Sequence, residues 1–508
     1  MSQSSNTRIA KSSIVLYMRT MIIMVITLYT SRIVLNSLGI EDFGVYNAVG
    51  GFIAMFGLIS NSLSSAISRY LTFELGKANI PRLKEIFSSS LIMLSIIGLV
   101  IILLIETGGV WFLNSKMDIP VNSIRGANWV LQFSAITFFL NLLNVPYNAA
   151  IIAQEKMKAF AYISILDTLG KLGVAVSISY STSERLSLYS GLLCLWALII
   201  RLIYAAYCHN NFTYCKLEFR INKGISKEIF AFSGWNFIGA SASVLKDQGV
   251  NVLINIFCGP AVNAGRGIAM QVNHAIQNFT NSFTTALNPQ ITKQYAVGNC
   301  TECLSLVFRG SKFSCFLLLF LAIPIFLESD LILKIWLKTI PPYAVVFVRL
   351  IIINVLIDTI SFSLITLMLA IGKIRNYQII VGGILLLNFP ICWIILRNGI
   401  SPEYTILVAI IISLCCLCVR LVMLSKMISL SISKFFAEVV WRIVAVTLTS
   451  SAAPLLTFFY MEQGWFKLVV ITLISFISTA FFAYRLGCSR SERIAIHSKF
   501  IDFVNHLF

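Results

Sequence analysis

Charge is scarce in this 508-residue chain: Asp, Glu, Lys and Arg make up 12% of it, about half the share usual in a soluble domain. With 58% hydrophobic residues and a mean hydropathy of +0.86, a water-soluble globular fold is excluded. Acidic residues are the scarcer sign, 21 against 39 Lys and Arg, for a net charge of +18. The basic excess sits in short segments between apolar runs, with no basic face interleaved with aromatics, so nucleic acid is not an expected partner. Enzyme signatures are missing too. There is no GxxxxGK[ST], no GxSxG, no HExxH and no DxD pair. The four histidines, His209, His274, His497 and His506, are scattered, and only His274 falls inside an apolar run. Most of the 12 cysteines, such as Cys315, Cys392 and Cys415-Cys416-Cys418, lie within apolar runs and read as small buried hydrophobes. Cys300 and Cys303 have CxxC spacing, but no second pair or His cluster accompanies them. The chain is therefore expected to be a non-enzyme with neither cofactor nor metal.

What the sequence does contain is a series of apolar runs long enough to cross a bilayer as helices, each about 20 residues or more. Fourteen qualify: 14–38, 44–71, 88–112, 126–152, 159–180, 186–208, 229–257, 264–289, 307–327, 344–371, 377–397, 403–424, 439–460 and 464–485. The run after Ile14 is too long for the apolar core of a signal peptide and reads as a first span. Most Lys and Arg fall on one side of this pattern, from Lys77, Arg82 and Lys84 to Lys373 and Arg375. The other side holds only Lys116, Arg125, Arg185, Lys334, Lys338, Arg397 and Lys467. The positive-inside rule then predicts both termini on the cytoplasmic side and an even number of spans.

The chain also echoes itself. Leu38-Gly39-Ile40 and the run after it are answered about 220 residues later by Phe257-Cys258-Gly259-Pro260. Ala153-Gln154-Glu155-Lys156-Met157-Lys158 is answered by Ala370-Ile371-Gly372-Lys373-Ile374-Arg375, 217 residues on. The predicted architecture is all-α and polytopic, with two repeated six-helix lobes around a central cavity and two C-terminal helices. Residues 1–208 form the N-lobe, 209–228 a cytoplasmic linker, 229–424 the C-lobe, and 425–508 spans 13 and 14 with a tail.

Polar stripes inside spans mark faces turned toward protein or water. Span 2 carries Asn47, Asn61, Ser65 and Thr72 within a narrow arc, with Arg69 beside it; span 7 carries Asn236, Ser243, Asp247, Asn251 and Asn255, with Lys246 alongside. Span 8 carries Arg266, His274, Gln277, Asn281, Thr284 and Asn288, and span 1 has Thr20, Thr27 and Ser31 on one face with Arg19 and Arg32 elsewhere. A single Asn or Ser of this kind is better explained by an interhelical hydrogen bond, and it is the stripe as a whole that exceeds what packing needs. Arg19, Arg32, Asn61, Arg69, Lys246, Asn251, Arg266, Gln277 and Asn281 are the candidate substrate-binding residues. Intramembrane carboxylates need a partner or a function. Asp167, four residues before Lys171, Asp247 and Asp358 are candidates for ion coupling, a structural salt bridge being the alternative for the first.

Leu38-Gly39-Ile40-Glu41-Asp42-Phe43-Gly44-Val45-Tyr46 resembles the segment LG-x-x-x-[FY]-G-x-[FY] that joins the first two spans of Wzx-type polysaccharide (O-antigen) flippases. Ser64-Ser65-Ala66-Ile67-Ser68-Arg69-Tyr70 is similar to the serine-rich close of their second helix. The resemblance implies the multidrug, oligosaccharidyl-lipid and polysaccharide exporter superfamily, to which MATE transporters are related. It also implies transfer of an undecaprenyl-diphosphate-linked oligosaccharide, an O-antigen or capsule repeat unit, across a bacterial inner membrane. Expected partners are that lipid-linked substrate, membrane lipids and the polysaccharide polymerase machinery. The alternatives are a cation-coupled drug exporter on the same scaffold and a membrane polysaccharide polymerase. The latter would need a large outer loop, and the longest external connector, Glu328 to Tyr343, is short.

Overall fold

The computed structural model describes residues 2–54, 56–115, 123–181, 184–216, 222–337, 340–490 and 492–494. Lys116, Arg220, Lys338, Lys499, His497 and His506 lie outside the described residues, as do the side chains of Asn47 and Asn255. Every regular element among the described residues is helical. In chain order these are α1 (Ser2–Ala54), α2 (Gly57–Gly76), α3 (Ile80–Leu104), α4 (Val110–Ser115), α5 (Ile124–Ala153), α6 (Met157–Ser179), α7 (Arg185–Asn211), α8 (Lys223–Ala296) and α9 (Cys300–Leu327). There follow α10 (Ser329–Leu337), α11 (Ala344–Ile371), α12 (Arg375–Leu386), α13 (Asn388–Arg397), α14 (Tyr404–Ile428), α15 (Ile432–Phe435), α16 (Trp441–Tyr460) and α17 (Trp465–Phe482).

Among the described residues, eleven helical segments are long and apolar enough to cross a membrane. The expected runs 229–257 and 264–289 are helical, and 44–71 is helical over 44–54 and 57–71, but all three are absent from that set. They are the runs in which Asn, Ser, Arg and Lys dilute the apolar content. Counting them with the eleven gives the expected fourteen.

The repeat is written into the backbone. Gly39 breaks α1 at φ 79°, ψ 172° and Gly259 breaks α8 at φ 82°, ψ 170°, a region open only to glycine. Each break turns one helix into two successive ones. At the same offset of 220, Asn79 and Asn299 cap α3 and α9 by accepting from the backbone N–H of Arg82 and Glu302, both at 3.2 Å. Ala78 and Gly298, just before these caps, are both left-handed, at φ 56° and 81°. Glu155 (φ 60°) and Gly372 (φ 85°) match at the offset of 217.

The chain divides into two compact units, Ala10–Phe237 and Ile238–Phe508 with Met1–Ile9. The start of α8 packs with the first unit. Glu228 lies 3.7 Å from Arg82, Asn222 Nδ2 donates to Glu85 Oε2 at 3.1 Å, and Phe232 meets the Tyr70 ring at 6.0 Å. In the first unit α5 packs on α7, α2 and α3 around a core that includes Val49, Ile105, Val130 and Leu131. In the second unit α11 packs on α9 and α14 around Leu318, Phe347, Val348 and Val355.

The last two spans, α16 and α17, pack on α9, and a buried ion pair secures each end of that contact. Lys467 Nζ of α17 lies 3.4 Å from Glu328 Oε1, just past the end of α9, with both side chains 4% exposed. About 24 Å away along α9, Lys312 Nζ donates to Glu492 Oε2 at 3.0 Å, with side chains 4% and 8% exposed. Arg309 Nε stands 3.5 Å from the other Glu492 oxygen, and the Ser489 backbone N–H donates to Oε2 at 2.7 Å. Burial alone would raise the Glu492 carboxyl above its ordinary value. The Ser489 N–H and Lys312 ammonium outweigh it and hold the carboxyl below that value. Removing one partner of a buried pair costs about 3 to 5 kcal/mol, so Glu492→Gln is expected to lower the thermal unfolding temperature of the purified protein. Because the folded value is depressed, the stability contributed by Glu492 is present above the ordinary carboxylate range and is lost as pH falls through it. The wild type should therefore lose stability more steeply on acidification than Glu492→Gln. Parallel pH profiles for the two would contradict this.

Candidate functional site

A cavity of about 790 Å³ opens inside the first unit, between α1, α5, α6 and α7. That volume is within the range of sites for drug-sized molecules. One face of α1 supplies Arg19, Ile23, Thr27, Thr30, Ser31 and Val34, spaced three and four apart. Beyond the Gly39 break the same helix returns Tyr46, whose ring meets Tyr189 of α7 edge-on at 4.9 Å. α5 adds Thr137, Asn141 and Asn148, α6 adds Phe160, Ser164, Asp167 and Lys171, and α7 adds Tyr204.

The charges here are unevenly matched. Lys171 Nζ donates to Asp167 Oδ2 at 2.7 Å, one turn apart on α6, with side chains 52% and 30% exposed. The Asp167 carbonyl also accepts from the Trp196 indole at 3.1 Å, a ring that a Cβ at Gly170 would strike. Arg19 lies over the Phe160 ring, 4.7 Å from its centroid. Its Nε is buried without a hydrogen-bond partner, and among the described residues no carboxylate pairs with it. Asn148 Oδ1 is buried and unpartnered as well. A guanidinium, amides, hydroxyls and four rings around open space can hold an anionic group beside a polyhydroxylated or aromatic one. Cys/His/Asp/Glu groups able to hold a metal are absent among the described residues.

The other sequence-predicted residues are distributed as follows. Arg32 and Asn61 are exposed. Arg69 is half-buried among the Tyr70, Phe73 and Phe232 rings, at 4.7, 5.5 and 5.2 Å. In the second unit Arg266 Nε donates to Asn251 Oδ1 at 3.0 Å, and Lys246 Nζ lies 3.9 Å from Asp247 Oδ1. Asp358 accepts from Asn354 at 3.0 Å, and Asn354 in turn accepts from Ser413 at 3.1 Å. Gln277 is half-buried and Asn281 exposed. The structure thus brings Arg19 and Asp167 to one cavity and Lys246, Asp247, Asn251 and Arg266 to one cluster. Arg19, expected elsewhere on span 1, lines the cavity together with Thr27 and Ser31.

Sequence reasoning missed the contributions of α5 and α7. Thr137, Asn141, Asn144 and Asn148, spaced four, three and four apart, form a stripe that would have identified α5. Tyr46, Tyr189 and Tyr204 carry no such signal, because tyrosine counts as apolar in a span. Space for an indole exists here, so Ser31→Trp is expected to fold and to close the cavity. Labelling of Asn141→Cys by a small polar maleimide, located by peptide mass, should fall several-fold in the Ser31→Trp background. Unchanged labelling would mean that the cavity is not the route to Asn141.

The family model described as "Polysaccharide biosynthesis protein" matches residues 9–294. No curated protein matches the chain. Among solved structures, a MATE transporter in the straight conformation superposes with a TM-score of 0.73 at 13% identity, over 84% of this chain and 96% of that one. An outward-facing multidrug resistance MATE transporter gives 0.71 at 13% identity, over 82% and 96%. A transporter of the MOP superfamily from Pyrococcus furiosus gives 0.70 at 13%, with the same coverage. The chain is a multi-pass membrane protein with the MATE-type fold, and it belongs to the polysaccharide biosynthesis protein family, that of the Wzx-type flippases.

Proposed function

We propose that this protein is a flippase that moves an undecaprenyl-diphosphate-linked oligosaccharide, an O-antigen or capsule repeat unit, from the cytoplasmic to the outer leaflet of a bacterial inner membrane. The observation that carries the proposal is Arg19, a guanidinium without a carboxylate partner among the described residues, in a cavity lined by amides and hydroxyls. A diphosphate leaving water needs its charge compensated, and a guanidinium fork does this with two aligned donors. Asn141, Asn148, Thr27 and Ser31 suit sugar hydroxyls. Arg32 and Arg69 extend the same basic character along spans 1 and 2, and the cycle is alternating access between the two lobes. Lys246, Asn251, Gln277 and Asn281 belong to the corresponding spans 7 and 8.

Asp167 is the proposed coupling carboxylate. Protonation or a bound cation would release Lys171 from it, changing the charge of the cavity while leaving Arg19 in place. Asp247 and Asp358 remain the candidates in the second unit. A cation-coupled drug exporter is the second reading, favoured by the aromatic lining of Tyr46, Phe160, Tyr189 and Tyr204. Positively charged drugs, however, would meet an uncompensated Arg19.

Arg19→Ala is expected to leave expression intact and to cut surface polysaccharide export about ten- to hundred-fold, the worth of a hydrogen bond to a charged group. Arg19→Lys should recover part of it. Full export by Arg19→Ala, measured as surface polymer in a host lacking the wild-type gene, would remove this cavity from the substrate path. Asp167→Asn should abolish the dependence of transport on an imposed proton or sodium gradient; gradient dependence unchanged from wild type would exclude Asp167 as the coupling group.

A further inference from the structure

The internal repeat places a counterpart of the first unit's cavity in the second unit, and the two are built differently. The offset of 220 that carries Gly39 onto Gly259 carries Thr27, Ser31 and Tyr46 onto Asp247, Asn251 and Arg266. In the first unit those three side chains face open space. In the second, Arg266 and Asn251 face one another. Arg266 is 5% exposed, and its Nε donates to Asn251 Oδ1 at 3.0 Å. Asp247 stands one turn before Asn251 on the same face of α8 and acts electrostatically on Arg266, while Lys246 Nζ lies 3.9 Å from the Asp247 carboxylate. The neighbouring helices follow the same pattern at the offset of 217. Asn141, which lines the first cavity, becomes Asp358, held by Asn354 at 3.0 Å, and Lys171 becomes Asn388, which is 1% exposed and donates to the Lys246 carbonyl at 3.3 Å.

We propose that Arg266 is a tethered cation: its guanidinium occupies, in the second unit, the ligand position that stays open in the first, with Asp247 and Asn251 as its receptor. Tyr46 leaves the equivalent position in the first unit to an exchangeable ligand, whereas Arg266 fills it with a covalently attached one. Two built-in cations, Arg266 and Lys246, then serve the single Asp247 carboxylate. The two lobes divide the work, the first holding a mobile ligand and the second carrying a permanent one. This inference rests on the geometry of the repeat and stands whichever cargo the first cavity carries.

The test is to remove the tether and supply the cation from solution. Full-length Arg266→Ala in detergent should unfold at a lower temperature than wild type. Guanidinium chloride at low millimolar concentration, well below denaturing levels, should restore most of the loss, as a ligand that binds only the folded state does. Sodium or tetramethylammonium chloride at equal ionic strength should not, and wild type should respond to none of the three. Equal rescue by sodium, or no rescue by guanidinium, overturns the proposal. If Arg266→Ala yields no folded protein, Asp247→Asn/Arg266→Met replaces it, because removing both charges relieves the unpaired carboxylate that the single substitution leaves. The double variant should then be recovered folded where Arg266→Met alone is not. A double variant no more stable than the single one would show that Asp247 is not the receptor.

Discussion

The structure depends on one constraint: a polar group inside the hydrocarbon must find its partner within the protein. Backbone groups meet it by forming helices, which is why every regular element among the described residues is helical. Hydroxyl side chains meet it locally, as Thr20, Thr30 and Ser31 do by donating to carbonyls one turn earlier. Charged side chains cannot, and their solutions distinguish the parts of the molecule. Lys312 with Glu492 and Lys467 with Glu328 neutralise one another and fasten α17 and the segment after it to α9. Inside the second unit Arg266 is held by Asn251, and Lys246 lies beside Asp247. In the first unit a cation, Arg19, borders open space with its Nε unsatisfied.

A repeat is an economical way to reach this arrangement. Two copies of one helix hairpin share the same glycine break and the same asparagine cap, so their backbones present the same positions to their interiors. Divergence of a few side chains then gives the copies different roles. Tyr46 against Arg266, and Thr27 against Asp247, separate an open polar cavity from a packed ion cluster. In the first copy ligand-sized space and an unpaired guanidinium coincide.

The fold was largely legible in the sequence, since span length and the near-absence of charge within spans are written residue by residue. The repeat was legible from Gly39 and Gly259 together with the two segments beginning at Ala153 and Ala370. The polar character of runs 44–71, 229–257 and 264–289 was legible too, and it is this character that sets them apart from the eleven apolar helices. Partners were not legible, because they are fixed by packing between helices distant in sequence. Helical periodicity could not reveal that Arg266 turns to Asn251 across the Gly259 break, or that Arg69 settles among three rings. Nor could hydropathy show that Tyr46, Tyr189 and Tyr204 line a cavity, since each reads as ordinary membrane-helix filling.

The claim that this member of the polysaccharide biosynthesis family moves a lipid-linked oligosaccharide between leaflets is tested most directly by removing the gene from its host. The leaflet that holds the lipid-linked repeat unit is then measured, together with surface polymer. The account predicts loss of surface polysaccharide, with complete single repeats trapped on the cytoplasmic side. Single repeats that still reach the outer leaflet but stay unpolymerised would contradict it and point to polymerisation as the missing step.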